Sequence, residues 1–238
     1  MPKTQKQIDS EDLVNMDMLA ESCPFTVDLV YAKSTHPENI FKTALYHEEA
    51  CLYLHKELAD IVIKASEISY SCWQGVLVLK DGLRPIEAQQ AMQHTEIVRA
   101  NPQWLEEGPT RLLSPPGLGG HPRGMAIDLT IKDEDGCEWD MGTSFDHLTT
   151  DPSDNPAARD YKNLSAEAIE NRKRLETAMM EAADFYKREL LPLSSEWWDF
   201  RFPAKYSEQF LPISDKDLPQ DIQICASSHN DVGSETLD

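Results

Sequence analysis

GGHPRGMAIDLTIK, residues 119–132, passes from a glycine-flanked loop into strict alternation. Met125, Ile127, Leu129 and Ile131 fall on one face and Ala126, Asp128 and Thr130 on the other, which is the period of a β-strand. Asp128 therefore sits mid-strand on the face opposite the aliphatic residues, where a carboxylate is costly unless something pairs with it. His121 precedes it by seven positions on the loop, so an imidazole and a carboxylate can converge on one metal ion. The other reading of the same spacing is a loop histidine bonded to backbone and an aspartate paired with Arg123.

Working outward, GVLVL at 75–79 is a short β-branched run that reads as a buried strand. KDGLRP follows, then a polar helix opening at Pro85, which places Arg84 where strand passes into helix. Upstream, ALYHEEACLYLHKELADIVIKASEIS (44–69) spaces Leu45, Leu52, Leu58, Ile61, Val62, Ala65 and Ile68 mostly by three and four, predicting an amphipathic helix. Downstream, 133–163 is an acidic loop region, and Ser165 to about Tyr186 returns to helical spacing with Ser165 as its N-cap. LLPLSSEWWDFRFP (190–203) then leads through a loop into a final aromatic strand. Helix, strand, helix, strand, helix, strand predicts a mixed α+β domain with a small sheet. The polar N-terminal segment 1–22 and the acidic tail 213–238 read as loose accessories to a single catalytic domain, 23–212.

The 238 residues carry 22 Lys+Arg against 42 Asp+Glu, a formal charge of −20. Such a polyanion repels phosphate backbones and acidic membrane surfaces, so neither nucleic acid nor membrane is expected as a partner. A hydrophobic content of 40% suffices for a sizeable core, which excludes disorder of the whole chain. The five cysteines show no CxxC spacing and read as reduced thiols, not as a disulfide framework or a thiolate zinc knuckle. No signal-peptide pattern and no run approaching 18 apolar residues is present, and a cytoplasmic location is expected.

Two further segments carry chemistry-bearing residues. SSEWWDF (194–200) sets Glu196 and Asp199 around two tryptophans, a candidate general base and ligand beside desolvating indoles. A regular strand would put these acids on opposite faces, so the functional reading requires a bend near Glu196; otherwise this is an aromatic core strand with acids at its edge. DGLRP (81–85) offers Arg84 for oxyanion stabilisation, or for an ordinary salt bridge.

Together and in order, DGLRP, HPRGMAIDL, DMGTSFD and SSEWWDF resemble the motifs of zinc D-alanyl-D-alanine dipeptidases of the VanX type. These are relatives of the D,D-carboxypeptidases and share a fold with the hedgehog signalling domain. The resemblance runs from about Phe25 to Phe210. It implies a small, mainly antiparallel sheet flanked by helices, with His121 and Asp128 as the first two zinc ligands. It also implies Glu196 as catalytic base, Arg84 as the transition-state arginine and Asp146 as the acid that receives the substrate's free amino group. The expected partner is a small dipeptide, hydrolysed by metal-activated water, with one zinc per chain; oligomeric state is open.

The chain departs from the family pattern in two places. The usual third ligand, a histidine three residues after the base, is replaced by Asp199, and the serine common before His121 is replaced by Gly119 and Gly120. One neutral histidine and two carboxylates bring a divalent ion to zero formal charge, where two histidines and one aspartate leave one positive charge. A less positive centre is a weaker Lewis acid, and oxygen donors shift preference towards Mn²⁺ or Fe²⁺. Glu196, Arg84 and Asp146 are retained, which favours a working His121–Asp128–Asp199 metallopeptidase. The alternatives are a non-catalytic binding module with a degraded metal site, and a D,D-carboxypeptidase acting on peptidoglycan stem peptides.

Overall fold

Three three-residue strands come first in the chain, β1 (Leu13–Asn15), β2 (Phe25–Val27) and β3 (Tyr53–His55), in a computed structural model that describes residues 5–108, 111–151 and 153–226. They are followed by α1 (Lys56–Trp73), β4 (Val76–Asp81), α2 (Ile86–Gln93), α3 (Glu96–Ala100) and β5 (Ala126–Lys132). The remainder comprises α4 (Ala166–Phe185), β6 (Leu191–Pro192), β7 (Asp199–Arg201) and the single turn of α5 (Ala204–Ser207). β1 pairs only with β3, and the main sheet has the order β2-β4-β5-β7-β6. Only β2 and β4 run parallel, so the sheet is mainly antiparallel, and helices flank it in an α+β fold.

β5 and α4 form where their local patterns predict them. β5 is buried along its length except at Lys132: Ile127, Leu129 and Ile131 enter the core, and Ala126, Asp128 and Thr130 on the other face are buried as well. The Ser165 side chain accepts the Ala168 N–H and caps α4, and Leu175, Ala178, Met179 and Ala182 pack it along α1.

The first helix is shorter than its spacing suggests. Residues 44–55 are loop and strand, and α1 starts only at Lys56. Leu52, Tyr53, Leu54 and His55 are buried in succession, which a helix with one solvent face cannot achieve but an enclosed strand can. The His55 ring then accepts the Glu57 N–H and marks the helix start.

Both segments read as loose are tied down. Ile8 and Met16 are buried, Lys6 bridges to Phe210, and the Asp17 carboxylate accepts the Leu52 N–H at 2.7 Å. Downstream, Ile213, Leu218 and Ile224 insert into the core, and Asp215 Oδ1 accepts the Ile224 N–H at 2.8 Å. A few buried apolar residues thus anchor each segment; residues 227–238 lie outside the described residues. No described helix is long and apolar enough to cross a membrane.

Sheet register has a consequence for function. Asp81 on β4 stands opposite Asp128 on β5, and Asp128 stands opposite Asp199 on β7, after a bulge between Leu79 and Asp81. Residues directly opposite share a face, so three aspartates lie abreast on adjacent strands. Like charges so placed repel, and the row requires cations around it.

Candidate active site

His121 reaches this row from a short 3-10 turn, His121–Arg123, closed by Gly124 at φ 61°. A side chain at Gly124 would meet the His55 backbone nitrogen at 2.8 Å, so only glycine fits there. Arg123 does not pair with Asp128. Its guanidinium binds the carbonyls of Gly117, Gly119 and Phe210 at 2.8–3.0 Å and holds the loop's shape.

The His121 Nδ1 lies 2.8 Å from the Gly82 carbonyl, which can only accept, so Nδ1 carries a proton and Nε2 is the nitrogen turned towards the other carboxylates. Nε2 faces Asp128 Oδ1 at 3.5 Å and Asp199 Oδ2 at 3.3 Å. Asp128 Oδ1 is buried and has no hydrogen-bond partner. Burial opposes protonation of His121, but the charge of Asp128 outweighs it and draws the imidazole up to about 10, so the cluster favours positive charge at this point.

Each of the other two aspartates holds an arginine. Arg84 donates to Asp81 Oδ2 from Nε at 2.9 Å and from Nη2 at 2.5 Å, while the Tyr46 hydroxyl donates to Asp81 Oδ1 at 2.7 Å. Arg84 also reaches to 3.5 Å from Asp128 and stacks over the Tyr31 ring. On the far side, Arg201 donates from Nε to Asp199 Oδ1 at 2.7 Å and from Nη2 to Oδ2. Burial works against the charge of Asp199, yet Arg201 holds its carboxyl well below the usual range. Among the described residues it is the donor atoms of Asp81, His121 and Asp128 that cluster closely, but Asp81 lies behind the imidazole, 3.6 Å from Nδ1, where the Gly82 carbonyl already accepts a hydrogen bond.

The bend required near Glu196 is present. β6 and β7 form a hairpin whose turn at Ser194–Ser195 lets Glu196 enter the cavity beside Asp199 before β7 begins. Trp197 and Trp198 beside it are buried. Burial, reinforced by the Asp199 charge, raises the Glu196 carboxyl well above the ordinary glutamate range.

Asp146 sits in the left-handed region at φ 56°, a conformation aspartate tolerates better than most residues, and accepts a hydrogen bond from the Tyr31 hydroxyl. Burial pushes its carboxyl up to about 7. Arg84, His121, Asp128, Asp146, Glu196 and Asp199 thus line one cavity of about 40 Å³, together with Tyr31, Ser114 and Arg201. Of the two glycines that stand where the resemblance implies a serine, Gly119 has φ 88°, and a Cβ there would stand 3.5 Å from Ser114 Oγ, so a hydroxyl reaches this spot from elsewhere on the loop.

Tyr31, Asp81, Ser114 and Arg201 were not expected from the sequence. Asp81 lies inside the DGLRP motif, and Arg201 follows Asp199 by two on a strand, a spacing that shares a face. A second acidic cluster, Asp28 with His36 and Glu38, already surrounds the buried Lys80 ammonium, which contacts Asp28, Glu38 and Glu138 at 2.6–2.8 Å.

The sequence profile of the D-Ala-D-Ala dipeptidase family, peptidase M15, matches residues 10–216. The D-alanyl-D-alanine dipeptidase of Escherichia coli K12 is 29% identical over 204 residues, covering 85% of this chain and 91% of that protein. Among solved structures, the L-Ala D-Glu endopeptidase ChiX of Serratia marcescens aligns with 64% of this chain and 82% of its own, at 13% identity and a TM-score of 0.36.

Proposed function

Because the chain belongs to the D-Ala-D-Ala dipeptidase family of M15 peptidases, we propose that it hydrolyses D-alanyl-D-alanine or a similar D-amino-acid dipeptide at a divalent metal held by His121, Asp128 and Asp199. The observation that carries this reading is the buried, partnerless Asp128 Oδ1 facing His121 Nε2. A tetrahedral ion with bonds of about 2.0–2.2 Å spaces its donor atoms about 3.3–3.6 Å apart. The separations of 3.5 and 3.3 Å from Nε2 to Asp128 and Asp199 fall in that interval. Bound there, zinc, or manganese given the two carboxylates, would polarise the scissile carbonyl and acidify water.

The chain's own residues divide the remaining work. Glu196, with its proton affinity raised by burial, takes the proton of the attacking water and returns it to the leaving amine. Arg84, fixed by Asp81 and aimed past Asp128, stabilises the negative charge that develops on the carbonyl oxygen. Asp146, with Tyr31 behind it, pairs with the substrate ammonium when ionised.

Hydrolysis of D-Ala-D-Ala, L-Ala-L-Ala and a stem pentapeptide ending in D-Ala-D-Ala, with zinc or manganese and with chelator, tests the proposal. Turnover of the first substrate alone, abolished by chelator and by Glu196→Gln with metal content intact, is expected. Preference for the pentapeptide would make the protein a carboxypeptidase, and metal binding with no turnover of any substrate would make it a binding module.

A further inference from the structure

Of the three aspartates abreast on the sheet, Asp81 is offset by Arg84, Asp128 faces only His121 and the edge of Arg84, and Asp199 is gripped by Arg201. Arg201 follows Asp199 by two residues on β7 and meets its carboxylate fork to fork, with both groups lining the cavity. A carboxylate has about four lone-pair positions, of which the arginine fork takes two. Asp199 Oδ2 therefore keeps electron density for the side on which His121 Nε2 lies 3.3 Å away.

We propose that Asp199 and Arg201 act as one ligand unit, a carboxylate whose charge is cancelled, so that the metal centre carries the same net charge as one built from two neutral donors and a single carboxylate. This rests on the metal-centre reading above. A dication with Asp128, Asp199 and the Arg201 guanidinium sums to one positive charge, whereas without Arg201 the sum is zero. The guanidinium thus preserves Lewis acidity and weakens metal affinity, since a fixed cation beside the ion repels it. Arg201 is a positioning residue: it acts through Asp199 and not on the reacting atoms.

The test is zinc affinity measured by competition with a chromophoric chelator, on protein whose fold is checked by circular dichroism. Arg201→Met is expected to bind zinc at least tenfold more tightly while kcat for D-Ala-D-Ala falls at least tenfold, and Arg201→Lys is expected to return zinc affinity to the wild-type value. A residue that merely held the fold would lose affinity and activity together. Asp199→His and Asp199→His/Arg201→Met form a second pair that has no ion pair to break. There the double variant, with one net positive charge, should bind zinc at least tenfold more tightly than the single variant, with two. Equal or weaker binding in either Arg201→Met background overturns the proposal. Failure of the wild-type protein to bind zinc or manganese overturns the metal-centre reading instead.

Discussion

Two aspartate–arginine pairs flank His121, built from the same groups and placed on opposite sides of the ring. Asp81 and Arg84 stand behind it, at the Nδ1 that the Gly82 carbonyl already occupies, whereas Asp199 and Arg201 stand in front of the open Nε2. Behind the ring, the aspartate is wholly consumed: Tyr46 takes one oxygen and Arg84 the other, and Arg84 is free to lean into the cavity. In front, the aspartate keeps a face towards the donor atoms and its arginine supplies compensating charge. The comparison shows that the ion pair alone does not assign a role; the ring nitrogen it faces does.

Removing the rear arginine gives the largest expected effect. Arg84→Met should lower kcat by about 10²–10³-fold, the usual loss for one oxyanion donor, with zinc affinity little changed. A fall in metal content with unchanged kcat would move Arg84 from the substrate to the metal. Asp81→Asn leaves the Arg84 guanidinium buried without its main counter-ion and should cost about 3 kcal/mol of stability, read as a lowered denaturation midpoint. An unaltered midpoint would mean that the rear pair is not a structural anchor.

A smaller effect follows from Asp146. Its carboxyl is held protonated up to about 7 by burial, and only the ionised form pairs with an ammonium, so kcat/KM should rise as pH increases through about 7. Asp146→Asn should lose that limb; a limb unchanged in Asp146→Asn would assign it to another group. The same shift has a stability consequence. Between the ordinary carboxyl pKa of about 4 and about 7 the folded protein holds a proton that the unfolded chain has released, so stability declines as pH rises across that window. Asp146→Asn should flatten this decline in denaturant midpoints measured from pH 4 to 8.

What the sequence made legible follows how local each signal is. The alternation of residues 125–132 and the Ser165 cap are complete within a few residues, and both elements form where those signals place them. The run 44–55 was misleading because its apolar spacing of three and four is satisfied equally by a loop and a buried strand that fold over the core. β1, β2 and β3 have three residues each, too few to show a period. In the site, Arg84, His121, Asp128, Asp146, Glu196 and Asp199 come together in one cavity, although they are spread over four motifs. Tyr31 had no signal, since its partner Asp146 lies 115 residues away. Arg201 had one, in its two-residue spacing from Asp199, and its meaning emerged only once the register set three aspartates side by side.

Zinc soaked into crystals of the protein and located by anomalous scattering at the zinc edge tests the central claim most directly. The expected result is a single strong peak about 2 Å from His121 Nε2, Asp128 Oδ1 and Asp199 Oδ2, with Arg201 still paired to Asp199. A peak on the Nδ1 side with Asp81 as ligand, or no peak in the cavity at full occupancy of the soak, would contradict it.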